Sequence, residues 1–294
     1  MTLSHRLING GSRATIRISL AATSIAIMAA SGCSSNHSDG GYQPSRYVDG
    51  MTFRWSAEPG ISMTEGPAIA IRAYVESYDR ALFAQDEQAA YRGFDRVVAA
   101  NVGDIHSPTG LRRPYTKFLA MEAPRTVGPE HLHIQRITRS GARTEAIVCS
   151  DVRRLSQIFD NDWRGATYRS ISTAGLLELY GSIGTGFPLR MSVSVMRIVM
   201  TGTSEPNSIA QHGDNNFPRG DVFGDWSIDE FNWYSGDHSV QIGNASVTPP
   251  LPWPTADTDL KPCQQFAQPP IADPHTDGKN PLFPQEPSVP GWPR

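Results

Sequence analysis

The spacing of the apolar residues changes part of the way along this chain, and that change limits the folds it can adopt. From residue 64 to residue 98 the apolar side chains recur every three or four positions, as on one face of an α-helix. From residue 131 onward they alternate with polar side chains, as in half-buried β-strands. Helices followed by strands predict an α+β fold, in which N-terminal helices pack on a curved antiparallel sheet.

The helical half contains capping signals. Thr64 is suited to cap a first helix that has Pro67 in its first turn. Asp86 can cap a second helix, whose apolar face includes Tyr91 and Phe94 and which Gly93 weakens. A third, short helix is predicted over residues 114–122.

The alternating half predicts two strand pairs. A strand through Leu132 and Ile134 turns at Ser140-Gly141 into a second strand over residues 144–150. Residues 190–201 and 225–234 are predicted to form a later antiparallel pair. In the last strand the apolar positions change parity between Ile228 and Phe231, which predicts a bulge or bend.

Four segments are expected along the chain. Residues 1–32 form a leader, residues 33–63 a flexible linker, residues 64–246 the α+β domain, and residues 247–294 an extended tail. The linker begins as SSNHSDGG, although the alternation of Met51, Phe53 and Trp55 also fits a short strand docked on the domain. The tail holds 13 of the 23 prolines, which disfavour both helix and sheet.

The leader has the order of a secretory signal peptide. Three arginines (Arg6, Arg13 and Arg17) precede an uncharged apolar stretch over residues 18–31, and small residues follow as Ala30-Ser31-Gly32-Cys33. About 20 apolar residues are needed to span a bilayer, so this stretch is short for a permanent transmembrane anchor.

The Ala30-Ser31-Gly32-Cys33 run resembles the lipobox of bacterial lipoproteins, with Ala30 where that family usually has Leu. The resemblance implies that Cys33 is acylated and becomes the first residue of a protein tethered to the extracytoplasmic face of the cell membrane. Two acyl chains make such an anchor durable. The alternative is ordinary leader cleavage with Cys33 incidental.

The cysteine count agrees with export. Besides Cys33 the chain has only Cys149 and Cys263, and a thiol pair outside the cytoplasm tends to oxidise. A disulfide between them is therefore expected, and two buried thiols are the alternative. Neither cysteine has another Cys or a His at metal-ligand spacing.

Residues 68–91 and the strand at residues 224–233 resemble the NTF2-like (cystatin-like cone) superfamily, and with the lipobox they resemble envelope lipoproteins of mycobacteria. The resemblance implies a cone-shaped sheet wrapped over a helix, sometimes with a pocket. Tyr74, Tyr78 and Asp79 lie on the helix that lines the pocket in enzymes of this build. Tyr74 and Tyr78 also fit the apolar stripe of a core helix.

The function expected from these features is that of a non-enzymatic binding or adaptor module for an envelope protein or an apolar ligand. The alternative is a lyase or isomerase acting on a small apolar substrate. No catalytic residue and no cofactor are predicted. His131 and His133 share one face of a strand, but no third ligand lies nearby in the sequence, so no metal is expected.

Net charge limits the range of partners. The precursor has 26 basic and 29 acidic residues, and three of the basic residues lie in the leader, so the mature chain carries a net charge of −6. An acidic surface without a basic cluster argues against a nucleic-acid partner.

Overall fold

The computed structural model describes residues 42–101, 111–114, 116, 123–161, 165–171, 193–202, 211–236, 240–242, 245–247, 250–268 and 286–294. The leader, Cys33 and most of the helix predicted at residues 114–122 lie outside these residues.

The long helix α1 spans Pro67–Ala84, as the sequence predicts, but its cap is not Thr64. Gly66 precedes the helix with φ 59° and ψ −149°, a backbone conformation open mainly to glycine. Proline is favoured at the first helical position because its φ is already helical and its missing N–H has no partner there anyway. The observed cap, Gly66, therefore lies two residues after the expected cap, Thr64.

The predicted second helix is split in two. Asp86 accepts a hydrogen bond from the Gln88 backbone N–H at 2.9 Å and caps a 3₁₀ turn over Glu87–Ala89. A single turn, α2, follows at Phe94–Val97. Gly93 lies between them with φ 91°, which a continuous helix cannot accommodate.

The strands in the described part of the chain are β1 Gly50–Ala57, β2 Arg125–Ser140, β3 Arg143–Asp151, β4 Ser156–Asn161, β5 Gly165–Ser170, β6 Val193–Thr201, β7 Ser227–Tyr234, β8 Val240–Ile242 and β9 Ala245–Val247. Among these described residues, seven strands form one mixed sheet. Six of them follow the order β5-β4-β2-β3-β6-β7, and β1 pairs with β2 in addition. The pairs in this sheet are antiparallel except β1–β2, which is parallel. Strands β8 and β9 form a separate antiparallel pair.

Both predicted strand pairs are confirmed. β2 and β3 form a hairpin that turns at Gly141 with φ 60°, and β6 pairs with β7. Val199 pairs with Glu230 while Met200 pairs with Ile228, so Asp229 is an extra residue. This bulge produces the parity change predicted from the sequence. A second irregularity, at Gln135 in β2, was not predicted.

The flexible linker predicted over residues 33–63 is wrong for its second half. β1 pairs with eight consecutive residues of β2, and Met51, Phe53 and Trp55 are buried. The free energy gained by burying these alternate apolar side chains stabilises a strand, although the polar residues at the start of the segment favour a flexible chain. The short docked strand considered as an alternative is the structure observed here.

The extended tail predicted over residues 247–294 is also wrong in two places. Residues Ala256–Phe266 form helix α3, with Pro262 inside it. Proline removes one backbone donor and disturbs the preceding turn, so this helix depends on its packing. Trp253, Leu260 and Cys263 are buried against Ile147 and Val195 of the sheet.

The second exception is residues 286–294, here named the strap. Val289 accepts a hydrogen bond from Trp55 N at 2.6 Å and donates one to Phe53 O at 2.9 Å. On its other side Trp292 exchanges backbone hydrogen bonds with Asn215. The strap therefore covers the edge of β1 and connects it to the loop at residues 211–216.

Helices cover both faces of the sheet. The large apolar core includes α1 and one sheet face, and the smaller one includes α3 and residues of β3, β6 and β7. The described residues from Tyr42 onward belong to one compact unit, so the described structure extends beyond the predicted boundaries of 64 and 246. Within the described residues, every helix is too short or too polar to cross a bilayer.

Candidate functional site

Tyr74 and Tyr78, predicted to line a pocket, are buried in an aromatic cluster. Their ring centroids lie 6.1 Å apart, and both rings contact Phe231 of β7, at 5.4 and 4.6 Å. Tyr74 also stacks on Phe94 at 5.9 Å and donates a hydrogen bond to Arg112 O at 2.8 Å. The two tyrosines therefore join α1 to β7 and α2.

Asp79 is fully buried on the same helix, but it does not share a face with the two tyrosines. At about 100° per residue, it lies roughly 100° around the axis from Tyr78 and roughly 140° from Tyr74. The structure thus brings the tyrosines together and places the carboxylate toward the other side of α1.

The other side of α1 holds a charged cluster that was not predicted. Arg72, Glu76 and Arg80 follow one another at intervals of four residues, and each is at most 1% exposed. Side chains at this spacing lie along one stripe of a helix. A stripe of charges usually faces solvent, but here it faces the strap and the segment around β1.

Glu76 is the centre of this cluster. One carboxylate oxygen accepts a hydrogen bond from Trp55 Nε1 at 2.8 Å. The other accepts from Tyr91 OH at 2.6 Å and from Trp292 Nε1 at 2.8 Å. The nearest cation is Arg72, whose Nε lies 3.9 Å away. Three segments distant in the sequence thus donate to one carboxylate.

The two arginines bind backbone carbonyls around Glu76. Arg72 donates to Pro290 O at 2.7 Å and lies over the Trp292 ring, 4.3 Å from its centroid. Arg80 donates to Val48 O at 3.1 Å and to Met51 O at 3.3 Å. Arg72 therefore holds the strap, and Arg80 holds the chain that leads into β1.

Burial sets the direction of the pKa shifts of Glu76, Tyr91 and Arg72. It raises the pKa of Glu76, against the opposing effects of Arg72 and of the hydrogen bonds from Tyr91 and Trp292. It also raises the pKa of Tyr91 well above its usual range and lowers the pKa of Arg72. With its oxygens engaged by protein donors, Glu76 acts as a cross-link between segments.

On the opposite sheet face, Cys149 of β3 and Cys263 of α3 lie at disulfide distance. Their sulfurs are 2.16 Å apart and their Cα atoms 5.1 Å apart. The proximity of this pair confirms the sequence prediction. Gln135, the extra residue in β2, donates its side-chain amide to both sulfurs at 3.0 Å.

Near the cysteine pair, the carboxylate of Asp259 in α3 accepts hydrogen bonds from three neighbouring side chains. It accepts hydrogen bonds from Arg136 at 2.7 Å, Trp253 at 2.9 Å and Thr255 at 2.7 Å. Burial opposes ionisation of Asp259, but the bonds from Arg136, Trp253 and Thr255 outweigh it and lower its pKa. Asp259 therefore fastens α3 to β2 in its charged form.

The two histidines considered as metal ligands have separate surroundings. His133 Nδ1 lies 2.9 Å from Ser56 Oγ, and its Nε2 lies 3.4 Å from Glu58. Burial lowers the pKa of His131, against the attraction of Glu286. Among the described residues, no group of three His, Cys, Asp or Glu side chains is placed to hold a metal ion.

The sequence gives little indication of the Glu76 cluster. Charges at intervals of four on a helix with an apolar stripe indicate a solvent-exposed face. The partners of Glu76 lie 15, 21 and 216 positions away. One usable signal was Trp292, because a tryptophan in a proline-rich segment needs a place to bury its ring.

Compared with known proteins, the chain matches no family model, no curated protein and no solved structure.

Proposed function

We propose that this chain is an exported lipoprotein, acylated at Cys33, whose folded part is a non-enzymatic binding or adaptor module of the cell envelope. The observation that carries the proposal is the Cys149–Cys263 pair at disulfide distance. Disulfides persist outside the cytoplasm and are rare within it. The pair therefore agrees with the signal-peptide pattern that ends at Cys33.

The interior supports a binding or adaptor role over catalysis. Tyr74 and Tyr78 pack on other rings, and Glu76 accepts bonds from three protein donors. Groups engaged in this way stabilise the fold, whereas a catalytic group must reach a substrate. We expect binding of an envelope protein or apolar ligand to take place on the outer surface of the domain.

An NTF2-like relationship is part of the proposal. In its favour, α1 packs on one face of the antiparallel strands β2, β3, β6 and β7. The parallel strand β1 and the helix α3 on the opposite face are additions to that plan. Fold alone carries no function, so the proposal rests on the leader and the cysteine pair.

The anchoring is tested by mass spectrometry of the protein purified from membranes. The expected result is a chain that begins at Cys33 and carries a diacylglyceryl group, with Cys33→Ala as the variant that leaves the membrane fraction. An intact leader, or an unmodified thiol at Cys33, would overturn the proposal.

Partners are sought by photo-cross-linking on intact cells. Amine-directed reagents suit this chain poorly, because its lysines are Lys117, Lys261 and Lys279 only. A specific adaptor should yield the same cross-linked partner repeatedly, and Cys33→Ala should lose it through loss of anchoring. A folded, anchored protein that captures nothing reproducibly would contradict the adaptor role.

A second candidate, a lyase or isomerase for a small apolar substrate, rests on one observation. Asp79 is a fully buried carboxylate on α1. If Asp79 abstracts a proton next to a carbonyl group, the protein should catalyse hydrogen–deuterium exchange in small apolar ketones. Asp79→Asn should abolish that exchange, and an unchanged rate would exclude the role.

A further inference from the structure

Along the chain, the first residue after Cys33 that the structure describes is Tyr42. Eight residues separate Cys33 from Tyr42. At most about 3.6 Å per residue, this spacer cannot exceed roughly 30 Å in any conformation. This inference rests on the proposed acylation of Cys33, which places Tyr42 within that distance of the membrane.

Tyr42 is held in the fold by a hydrogen bond and by contacts with two aromatic rings. Its hydroxyl donates to Ala89 O at 2.6 Å, and its ring contacts those of Tyr91 and Phe217 at centroid distances of 5.1 and 5.2 Å. Its side chain is buried. The spacer therefore meets the fold at a fixed point, and the surface around that point is the one held close to the bilayer.

Three exposed arginines lie close in the sequence to Tyr42 or to residues that contact it. Arg92 follows Tyr91, Arg219 lies two residues after Phe217 and accepts the Tyr42 N–H through its backbone oxygen, and Arg46 lies four residues after Tyr42. Tyr47 and Phe217 are half-buried beside them. We name these five residues the Tyr42 surface: Arg46, Tyr47, Arg92, Phe217 and Arg219.

Acidic groups also lie near this surface, and two of them form ion pairs with arginines outside it. Asp221 pairs with Arg96 at 2.6 Å, and Asp49 pairs with Arg125 at 2.9 Å. Arg92 and Arg219 form no ion pair with any residue that the structure describes. The five residues of the Tyr42 surface therefore carry three positive charges and no carboxylate, on a chain with a net negative charge.

We propose that the Tyr42 surface lies against anionic lipid headgroups of the membrane that holds the Cys33 anchor, and so orients the domain. Arginine binds phosphate oxygens in bidentate fashion, and half-buried aromatic rings beside it suit the bilayer interface. Each basic residue near an anionic surface adds a modest attraction, which is small for binding but sufficient to orient a tethered domain.

The test uses the full acylated chain in vesicles of phosphatidylcholine, alone or mixed with phosphatidylglycerol, and follows amide hydrogen exchange by mass spectrometry. Exchange in residues 42–49 and 217–221 should slow about tenfold in anionic vesicles and recover at high salt. The double variant R92E/R219E should lose this slowing while remaining in the vesicle fraction.

The matched control is R139E/R143E, which makes the same change of charge at the turn between β2 and β3. That turn lies about 45 Å along β2 from Thr126, whose N–H bonds Tyr47 O. The control should keep the slowing. Equal exchange in both vesicle types, or slowing that survives R92E/R219E, would overturn the orientation proposal while leaving the anchor intact. Absence of acylation would instead overturn the proposed function, and the orientation with it.

Discussion

The two faces of the sheet are held in different ways. On the α1 face, a large apolar core surrounds the buried cluster of Arg72, Glu76 and Arg80. On the α3 face, eight buried apolar residues of the described part of the chain form a small core that includes the Cys149–Cys263 pair, and the Asp259 contacts lie beside it. A small core contributes little hydrophobic stabilisation, so a covalent link and charged hydrogen bonds matter more there.

Removal of Glu76 should have the largest effect. Glu76→Ala leaves Arg72 and Arg80 buried without their carboxylate and removes the acceptor of three donors. Breaking a buried charge pair costs about 3–5 kcal/mol. Urea unfolding should show this loss, whereas Glu230→Ala, on the more exposed part of the sheet, should cost under about 1 kcal/mol. Equal losses would mean that the cluster is not central to the α1 face.

Removal of the cysteine pair should come next. The sequence separation is 114 residues, for which the chain-entropy model gives roughly 4–5 kcal/mol, and measured values are often about 2–4. In the double variant C149A/C263A, hydrogen exchange should quicken in residues 256–266 before it does in α1. Simultaneous loosening of both helices would show that the two faces unfold as one unit.

Acid should loosen the α3 face selectively. The pKa of Asp259 is lower in the folded state than its ordinary value of 3.8, so its stabilisation is present above that pH and is lost as the pH falls below it. The pKa of Glu76 is raised above its ordinary 4.5, so protonation at low pH favours the fold around it, and that contribution is lost as the pH rises.

Hydrogen exchange between pH 6 and pH 3, corrected for the intrinsic rates, checks this difference. Protection should fall in α3 and persist in α1. Asp259→Asn should cost about 2 kcal/mol at pH 7 and remove most of the acid sensitivity of α3. Persistence of that sensitivity in the variant would assign it to another group.

The smallest expected effect is that of removing one hydroxyl group from the aromatic cluster. Tyr74→Phe keeps the ring contacts with Phe231 and Phe94 but leaves Arg112 O without the hydroxyl donor. The expected cost is about 1 kcal/mol in thermal or urea unfolding. Tyr74→Ala should cost several times more, about 3–5 kcal/mol, because it also opens a cavity.

Local patterns predicted much of this fold. The period of residues 68–82 predicts α1, the alternation after residue 131 predicts the two strand pairs, and the parity change predicts the bulge at Asp229. The pairing of Cys149 with Cys263 follows from the count of cysteines. The helix, the strands and the bulge are determined by interactions between residues close in the sequence. The cysteine pairing could be predicted because only two cysteines remain besides Cys33.

The predictions were wrong where contacts with residues distant in the sequence determine the structure and the local composition favours a different one. Residues 50–57 follow a polar stretch, but pairing with β2 and burial of Phe53 and Trp55 make them a strand. Prolines near α3 indicated extended chain, but packing on Ile147 and Val195 stabilises a helix. The Glu76 cluster depends on Trp292, which lies 216 positions away, so a pattern of neighbouring residues cannot reveal their contact.

The placement of the strap bears on the timing of folding. Contacts that close loops of more than 200 residues, such as Trp292 with Glu76 and Phe53 with Ser288, cannot form until nearly all of the intervening chain has been synthesised. High sequence separation also slows folding. The contacts of the strap with β1 and α1 should thus form only after residues 286–294 have been synthesised.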